Sequence, residues 1–467
     1  MAPEPRGLTG PGSGAALADW LDWLERQSSE SRIEFGLDRV RCVAESMGLP
    51  MQEGQVRLPM VTVVVAGTNG KGSTCALLAS IAAQAGYTVA VYASPHLLRF
   101  EERLTLNGAL SAPEDWTTAF ASVGEACAKA ACRLTYFEWV TLAAFQMTLS
   151  KRVDLLVAEI GMGGRLDAVN LLESDAAVLT SVDLDHQAFL GETREQIGWE
   201  KAHVARAGRP FIVADPVPPE TVSQVSHQIG ADLWQFGRDF NYQGDRQQWS
   251  WSGRLTRRNA LAYPALRGTN QLLNASAALA VFAALSQTLP VSQGAVRQGL
   301  ALVELAGRFQ VLPGQPAVVL DVAHNPHAAG VLAANLDQMG FFPQTLAVVG
   351  MLADKDAQAV FERLVSRVDV WCLAGLAPSL AGVRAQSAEA LEQHLNAVLA
   401  SRSADERKGL APVVVQRFSD PQSALAGAAG LAKPSDRIVV FGSFITVAQA
   451  WHQAKTIGQA PHAPDAH

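Results

Sequence analysis

The sequence predicts an α/β protein of two domains, and three observations carry that expectation. Short, almost wholly apolar runs alternate with helical stretches along most of the chain, the pattern of a doubly wound parallel sheet covered on both faces. The first such run is joined to its helix by a glycine-rich turn, Gly67-Thr-Asn-Gly-Lys-Gly-Ser73. The alternation then restarts around Ala306-Gly307-Arg308, which divides the 467 residues into domains 1–306 and 307–467.

Residues 1–15 are rich in Pro and Gly and read as a disordered tail, as does the polar end from about residue 459. Residues 16–27 have helical spacing, with Leu17, Trp20, Leu21 and Leu24 on one face. Val61-Thr-Val-Val-Val65 has the composition of a buried parallel strand. The glycine-rich turn follows, then a helix over 73–85 and a second strand over 88–92. Further buried strands are expected over 154–160, 176–182 and 210–214. In the second domain they are expected over 318–321, 346–349, 368–373, 413–416 and 438–441. The polar stretch 401–408 is read as a surface loop.

Composition narrows the function. Hydrophobic residues make up 49% and charged residues 17%, enough to bury a large core. The net charge is −7 and the pI about 5.8, which argues against a nucleic-acid binder and weakly against an anionic membrane surface. No apolar run approaches the roughly 20 residues that span a bilayer. The five cysteines, Cys42, Cys75, Cys127, Cys132 and Cys372, are odd in number and unpatterned, so they read as reduced thiols of a cytoplasmic protein.

An acidic protein that handles anions must concentrate cations locally, which draws attention to Lys71. Glycines let backbone N–H groups wrap a phosphate, the helix end adds partial positive charge, and Lys71 adds a full one. The spacing differs from the standard phosphate loop, because Gly72 separates Lys71 from Ser73. Carboxyl ends of parallel strands converge on the ligand crevice in this architecture. Glu159 lies at one such end, before Gly161-Met-Gly-Gly-Arg-Leu-Asp167, and Asp183, Asp185 and His186 at another. A carboxylate, an imidazole and a hydroxyl there could hold Mg²⁺ beside the phosphates. Glu200-Lys201, taken alone, is a solvated helix face. Arg308 and Asp321 could serve a nucleotide, or be a surface Arg and a turn-capping Asp.

Eight segments in order carry a resemblance. They are GTNGKGS at residue 67, Ser94-Pro-His-Leu97, Glu159-x-Gly-x-Gly-Gly-Arg-x-Asp-Ala168, Leu184-Asp-His186, Glu200-Lys-Ala202, Gly307-Arg-Phe-Gln310, Asp321-x-Ala-His-Asn-Pro-His327 and Gly442-Ser-Phe444. Together they resemble the folylpolyglutamate synthase and dihydrofolate synthase branch of the Mur ligases, over residues 16–450. The resemblance implies an N-terminal phosphate-loop ATPase domain and a smaller, Rossmann-like C-terminal domain. It implies that Thr68, Asn69, Gly70, Lys71, Gly72 and Ser73 grip ATP, with Asn274, Arg308 and Asp321 also contacting the nucleotide. Ser94, Glu159 and His186 match the metal ligands, and Lys201 matches a lysine that the family carbamylates into a further ligand, giving two Mg²⁺ ions. Lys71, Lys201 and His324 are the implied catalytic residues, His324 on the glutamate side. Glu34, Phe35, Gly36, Thr135, Tyr136, Phe137, Glu138, Leu166, Asp167 and Ala168 fall in segments similar to those that bind dihydropteroate. Phe137 offers a flat face to a pterin and Asp167 an acceptor for its N–H groups. Glu34, Val169 and His203 depart from the family's usual Asp, Thr and Gly.

The implied activity is ATP-dependent addition of L-glutamate to dihydropteroate and to reduced folates through an acyl phosphate. The implied partners are these small molecules alone, with no nucleic acid and no membrane, and the protein is expected to be a monomer. A monofunctional folylpolyglutamate synthase, a murein-precursor ligase and a phosphate-loop ATPase switch are the alternatives. The dihydropteroate-like segments favour the bifunctional enzyme over the first. A switch would hydrolyse ATP in response to a partner, not to an acid and glutamate.

Overall fold

The computed structural model describes residues 8–459 except 13, 30–35, 246, 255, 378–384 and 403–412. Most of the expected 401–408 loop, and the expected tail beyond 459, lie outside the described residues. The expected N-terminal tail is corrected in part. Leu8 is buried, the Trp20 Nε1–H donates to the Gly12 carbonyl at 3.1 Å, and Gly10 lies directly on the Trp20 ring. Trp20 itself is fully buried, so these residues complete its cover.

The chain divides into two compact units. One runs to Ala265 and resumes over Leu272–Glu304; the other comprises Leu266–Gln271 and the chain from Leu305. The six residues Leu266–Gln271 join the second unit, where the Thr269 N–H donates to Asn335 Oδ1 at 2.9 Å.

The first unit opens with helices α1 (Leu17–Ser29) and α2 (Asp38–Ser46) and a small hairpin, β1 (Met51–Gln52) with β2 (Gln55–Val56). Its main sheet contains β3 (Val61–Ala66), β4 (Val89–Tyr92), β5 (Leu104–Leu106), β6 (Ala109–Leu110), β7 (Leu155–Glu159), β8 (Ala176–Leu179), β9 (Pro210–Val213) and β10 (Asp232–Gln235). Their order is β10-β9-β8-β3-β7-β4-β5-β6. The six strands from β10 to β4 are parallel, and β7 and β8 are buried at every position. This is why they read as continuous apolar runs. Helices α3 (Lys71–Gln84), α4 (Pro113–Ala130), α5 (Tyr136–Ser150), α6 (Gln187–Leu190), α7 (Arg194–Ala202) and α8 (Glu220–Ile229) intervene.

The sheet is not wholly parallel. β5 and β6 add an antiparallel edge, closed by the two-residue turn Asn107-Gly108 with both φ angles positive. A separate antiparallel sheet of β11 (Phe240–Gly244), β12 (Trp249–Gly253) and β13 (Arg257–Leu261) was also not expected. Helices α9 (Gln271–Ala284) and α10 (Gln293–Leu302) follow. Gly299 of α10 touches α3: a Cβ there would lie 2.5 Å from Ile81 Cα.

The second unit is built on a sheet ordered β14-β15-β19-β16-β17-β18, from β14 (Gln310–Leu312), β15 (Ala317–Leu320), β16 (Thr345–Val349), β17 (Val370–Ala374), β18 (Val414–Phe418) and β19 (Arg437–Phe441). Only β14 runs antiparallel, at the edge. Phe361, Trp371 and Phe441 fill its core.

Candidate active site

Register in the first sheet sets the site. Val65 of β3 pairs with Glu159 of β7, and Ala66 pairs with Leu179 of β8, so three carboxyl ends fall level. The glycine-rich loop leaves β3 there and enters α3 at Lys71. Two glycines are required by space as well as by backbone angle. A Cβ on Gly67 (φ 146°) would lie 1.9 Å from Thr180 Oγ1, and one on Gly70 (φ 90°) 2.7 Å from Asn274 Oδ1. Asn274, on α9, therefore stands against the loop that the sequence assigns to phosphate.

The loop is braced from β8. The Thr68 N–H donates to the Ser181 carbonyl at 2.8 Å, Thr68 Oγ1 accepts from the Asp183 N–H at 3.0 Å, and Asn69 N–H donates to Ser181 Oγ at 3.1 Å. Thr180 Oγ1 and Ser181 Oγ both donate to the Asn69 carbonyl. This corrects the strand expected over 176–182. It ends at Leu179, because the next residues spend their polar groups on the loop. Ser73 is buried in the first turn of α3, next to Gly72.

Two lysines converge on one atom. Lys71 Nζ donates to the Gly67 carbonyl at 3.1 Å and Lys201 Nζ donates to the same oxygen at 3.2 Å. Lys201 comes from the end of α7 and is 4% exposed, which removes it from the solvated face that the sequence alone suggested. Burial first, and the charge of Lys71 second, depress its pKa from 10.5 to about 7, against the opposing pull of Asp185 and Asp167. Neither lysine has a carboxylate within ion-pair distance among the described residues. The arrangement concentrates positive charge where it can be relieved by a bound anion, or by chemistry that removes the charge of Lys201.

Anionic and hydroxyl groups stand at the neighbouring strand ends. Glu159 is buried at the end of β7 and close enough to α3 to raise the Cys75 pKa, after burial itself. Ser94 follows β4, half-buried. His186 has a left-handed backbone (φ 51°) and starts α6, its N–H donating to Asp185 Oδ1 at 2.9 Å. Among the described residues no three His, Cys, Asp or Glu side chains form a metal cage. The expected set has only two of that class, Glu159 and His186, with Ser94 and Lys201. A carboxylate, a hydroxyl and a carbamate would be hard oxygen donors, the type magnesium takes, so the chemistry of the set fits that ion once Lys201 is modified.

The segments expected to bind an acceptor acid are more occupied by the fold than the sequence suggested. Glu34 and Phe35 lie outside the described residues; Gly36 is described, with φ 147°. Thr135 and Glu138 form a reciprocal cap on α5. The Thr135 N–H donates to Glu138 Oε2 at 2.7 Å and the Glu138 N–H to Thr135 Oγ1 at 3.3 Å. Glu138 also accepts from Arg39 Nη2 at 2.7 Å. Tyr136 lies under the Arg103 guanidinium, 5.3 Å from the ring centroid. The Phe137 ring packs against Gly161, where a Cβ would be 2.6 Å away.

Asp167 is buried between backbone groups. Its Oδ2 accepts from the Met162 N–H and its Oδ1 from the Val169 N–H, both at 2.9 Å. Burial pushes its pKa up to about 6, opposed by these N–H groups, by that of Gly161 and by the charge of Lys71. Leu166 is half-buried beside it and Ala168 is buried. Asp167 is thus a loop organiser first.

In the second unit, Asp321 follows β15 and braces the turn that carries Arg308. Its Oδ2 accepts from the Phe309 N–H at 3.0 Å and its Oδ1 from the Ala323 N–H at 2.8 Å. Burial raises its pKa, with Arg308 and His324 opposing. Arg308 stacks on Phe444, 4.9 Å from the centroid. His324 holds Nδ1 at 2.8 Å from the Val322 carbonyl. These residues form one corner of this unit.

Sequence reasoning passed over Arg39 and Arg103. Arg103 is 9% exposed, its Nε–H donates to His96 Nδ1 at 3.0 Å, and among the described residues no carboxylate pairs with it. Burial first, and the Arg103 charge second, hold the His96 pKa near 4, against the opposing pull of Glu102 and Glu101. The available signal was position: Arg103 closes the segment that begins with the Ser94 turn.

The Mur ligase middle domain family matches residues 65–282, and the Mur ligase glutamate ligase domain family matches 307–444. Fold and site together therefore define a Mur-type ligase. The chain belongs to the dihydrofolate synthase/folylpolyglutamate synthase family. It is 38% identical to the dihydrofolate synthase/folylpolyglutamate synthase of Escherichia coli K12, over 94% of this chain and 95% of that one. It is 35% identical to the Haemophilus influenzae protein of that name, over 93% and 97%. Among solved structures, E. coli FolC in complex with DHPP and ADP aligns with a TM-score of 0.84 at 37% identity, covering 96% of this chain and 99% of that one. A bifunctional folylpolyglutamate synthase/dihydrofolate synthase of Yersinia pestis, complexed with AMPPNP and Mn ion, aligns at 0.82 and 39%, covering 95% and 99%. No helix among the described residues is long and apolar enough to cross a membrane.

Proposed function

We propose that the protein is an ATP-dependent ligase that adds L-glutamate to dihydropteroate, giving dihydrofolate, and to reduced folates, giving polyglutamates. The observation that carries this reading is the pair of lysines on the Gly67 carbonyl, at the mouth of a phosphate loop in a chain of this family. A carboxylate and an ammonium do not condense in water, so the acid must first be activated. An oxygen of the acceptor carboxylate attacks the γ-phosphorus of ATP, and ADP leaves. Lys71 leaves the Gly67 carbonyl for the phosphate oxygens and absorbs charge as the phosphoryl group passes. The neutral amine of glutamate then attacks the acyl carbon, phosphate departs with the proton the nitrogen loses, and an amide remains. The site's contribution is position and charge.

Lys201 adds CO₂ through its neutral amine, forming a carbamate and releasing a proton; the depressed pKa makes the neutral form accessible near pH 7. The product is an anion, which turns the repulsion with Lys71 into attraction. Ser94, Glu159, His186 and carbamylated Lys201 would hold two Mg²⁺ ions, which supply Lewis-acid charge to the transferring phosphoryl group. Thr68 to Ser73, Asn274, Arg308 and Asp321 serve the nucleotide, and His324 the glutamate. Phe137 and Asp167 serve the pterin, flanked by Gly36, Thr135 to Glu138, Leu166 and Ala168. The protein acts in the cytoplasm as a monomer on small molecules alone. E. coli FolC was solved with DHPP and ADP, and the Y. pestis enzyme with AMPPNP and Mn, which supports these classes of ligand.

The test is ADP release with ATP, Mg²⁺ and glutamate, adding dihydropteroate, tetrahydrofolate or neither. The reading expects release with either acid and little without. Release that ignores both acids points to an ATPase of another kind, and release with tetrahydrofolate alone points to a monofunctional synthase.

A further inference from the structure

The loop between Ile160 and Asn170 touches the two functional regions at its two ends. At one end Gly161 lies on the face of Phe137. At the other, Gly164 lies on the main chain of the lysine helix. A Cβ there would be 2.6 Å from the Glu200 carbonyl oxygen and 2.8 Å from Lys201 Cα. Nothing but hydrogen fits in that space, so the loop cannot shift towards α7 there without moving the Lys201 backbone.

A clamp of polar contacts holds this junction. The Arg165 N–H donates to the Glu200 carbonyl at 3.0 Å. The Arg165 side chain returns to the same residue, its Nε and Nη2 donating to Glu200 Oε1 at 3.2 and 2.9 Å. The guanidinium also covers the Trp199 ring, 4.9 Å from its centroid. Below it, buried Asn170 donates its amide to the Arg165 carbonyl at 3.1 Å and to the His203 carbonyl at 3.2 Å, just past the end of α7. Arg206 fixes Asn170 in turn, donating to its carbonyl and its Oδ1 at 2.7 and 2.9 Å. None of these contacts is needed to form a phosphate loop or to present Phe137. Their common effect is to make the loop and the end of α7 one body.

We infer that Arg165 and Glu200 are positioning residues which couple occupancy of the acceptor site at Phe137 to the metal-binding competence of Lys201. This rests on the reading of Lys201 as a metal ligand. An acceptor acid stacked on Phe137 restrains Gly161, the clamp carries that restraint along the loop, and the Lys201 backbone is held where its side chain meets the metal. By linkage the effect is reciprocal: metal at Lys201 tightens the acceptor acid by the same factor. The ion pair is partly solvated, with 37% of the Arg165 side chain and 20% of the Glu200 side chain exposed, so its loss weakens the coupling without unfolding the chain.

The test titrates Mn²⁺ by EPR into the full-length protein saturated with AMPPNP and bicarbonate, with and without dihydropteroate. The variants are wild type, Glu200→Gln, Arg165→Met, the double variant and Lys201→Ala. Wild type is expected to bind Mn²⁺ about tenfold more tightly with the acid, within the usual range of coupling between sites. Glu200→Gln and Arg165→Met should keep Mn²⁺ affinity without acid within about twofold and lose most of the acid's effect, and the double variant should lose no more than either. A merely structural role would lower the melting temperature and leave the coupling ratio intact. Wild-type coupling of unity, or full coupling in a folded Glu200→Gln or Arg165→Met protein, overturns the inference. If Lys201→Ala binds Mn²⁺ as wild type does, the reading of Lys201 as a ligand fails instead. Should Glu200→Gln not fold, Arg165→Met alone decides.

Discussion

The phosphate loop and the acceptor segments are both polar, both lie in the first unit, and differ in how completely the fold uses their polar groups. In the loop, the braces from Thr180, Ser181 and Asp183 are main-chain or small hydroxyl contacts, and the two lysines meet over one carbonyl. In the acceptor segments, Thr135, Glu138 and Asp167 are satisfied before any ligand arrives. A site built for a highly charged ligand stores unbalanced charge. A site built for a flat aromatic ligand needs a rigid wall, and its polar residues are spent on the wall. Substitutions in the first region should therefore damage catalysis with little loss of stability. In the second they should cost stability first.

Lys71→Ala carries the largest expected effect. Removing a preorganised charge from a transferring group costs about 3–4 kcal/mol of transition-state stabilisation. The kcat should collapse, while in CO₂-free buffer the melting temperature holds or rises, since the like charge beside buried Lys201 is gone. Near-normal turnover in the folded variant would break the comparison at its first half.

Glu138→Ala probes the other half. It removes the carboxylate half of the reciprocal α5 cap, the acceptor of the Thr135 N–H, worth about 0.5–1.5 kcal/mol, and a charged hydrogen bond from Arg39, worth about 1.5–3 kcal/mol. A drop of about 2–4 kcal/mol in urea-measured stability is expected. A variant as stable as wild type with a selectively raised KM for the acid would instead make Glu138 a ligand contact.

That pair of segments also marks what the sequence could and could not convey. Gly67 to Ser73 was legible because its residue types have few other uses between a buried strand and a helix. The central parallel strands were legible because burial on both faces leaves an unbroken apolar run; the edge strand β10, with Asp232 and Gln235 at its ends, was missed. The sheet of β11 to β13 was not, because Asn241, Gln243, Arg257 and Asn259 face outward and break the pattern. The Asn107-Gly108 hairpin was written in the sequence and overlooked. Thr135 and Glu138 spelled a capping box, which explains them without a substrate. Lys201 could not be separated from a solvated lysine by local pattern, since its burial depends on Gly67, 134 positions away.

Phe137→Ala should have a smaller effect, about 1–3 kcal/mol in acceptor affinity if a pterin stacks on the ring as bases do on aromatics. We expect it to weigh more on dihydropteroate than on a reduced folate, whose glutamyl arm can anchor elsewhere. Measuring kcat/KM for both acids sharpens the comparison. Equal losses would show that the wall does not discriminate between them.

A further effect is a pH dependence. Lys201 titrates near 7 in the folded protein and near 10.5 when unfolded. Below about 7 both states carry the proton, and the penalty of burying it is paid in full. Between about 7 and 10.5 only the unfolded chain binds it, so stability rises with pH through that window. In CO₂-free buffer, the stability deficit of wild type relative to Lys201→Met should therefore shrink as pH is raised from about 6 to about 9. A deficit that stays constant would place the Lys201 pKa outside that range.

The central claim is that the two lysines part when the site fills: Lys71 turns to phosphate, and Lys201 becomes an anion. A crystal structure of the active protein with AMPPNP, Mn²⁺ and bicarbonate tests it directly. Continuous density is expected beyond Lys201 Nζ for a carbamate in contact with metal, with Lys71 Nζ on a phosphate oxygen. A bare Lys201 ammonium still seated on the Gly67 carbonyl, without a metal contact in that complex, would contradict it.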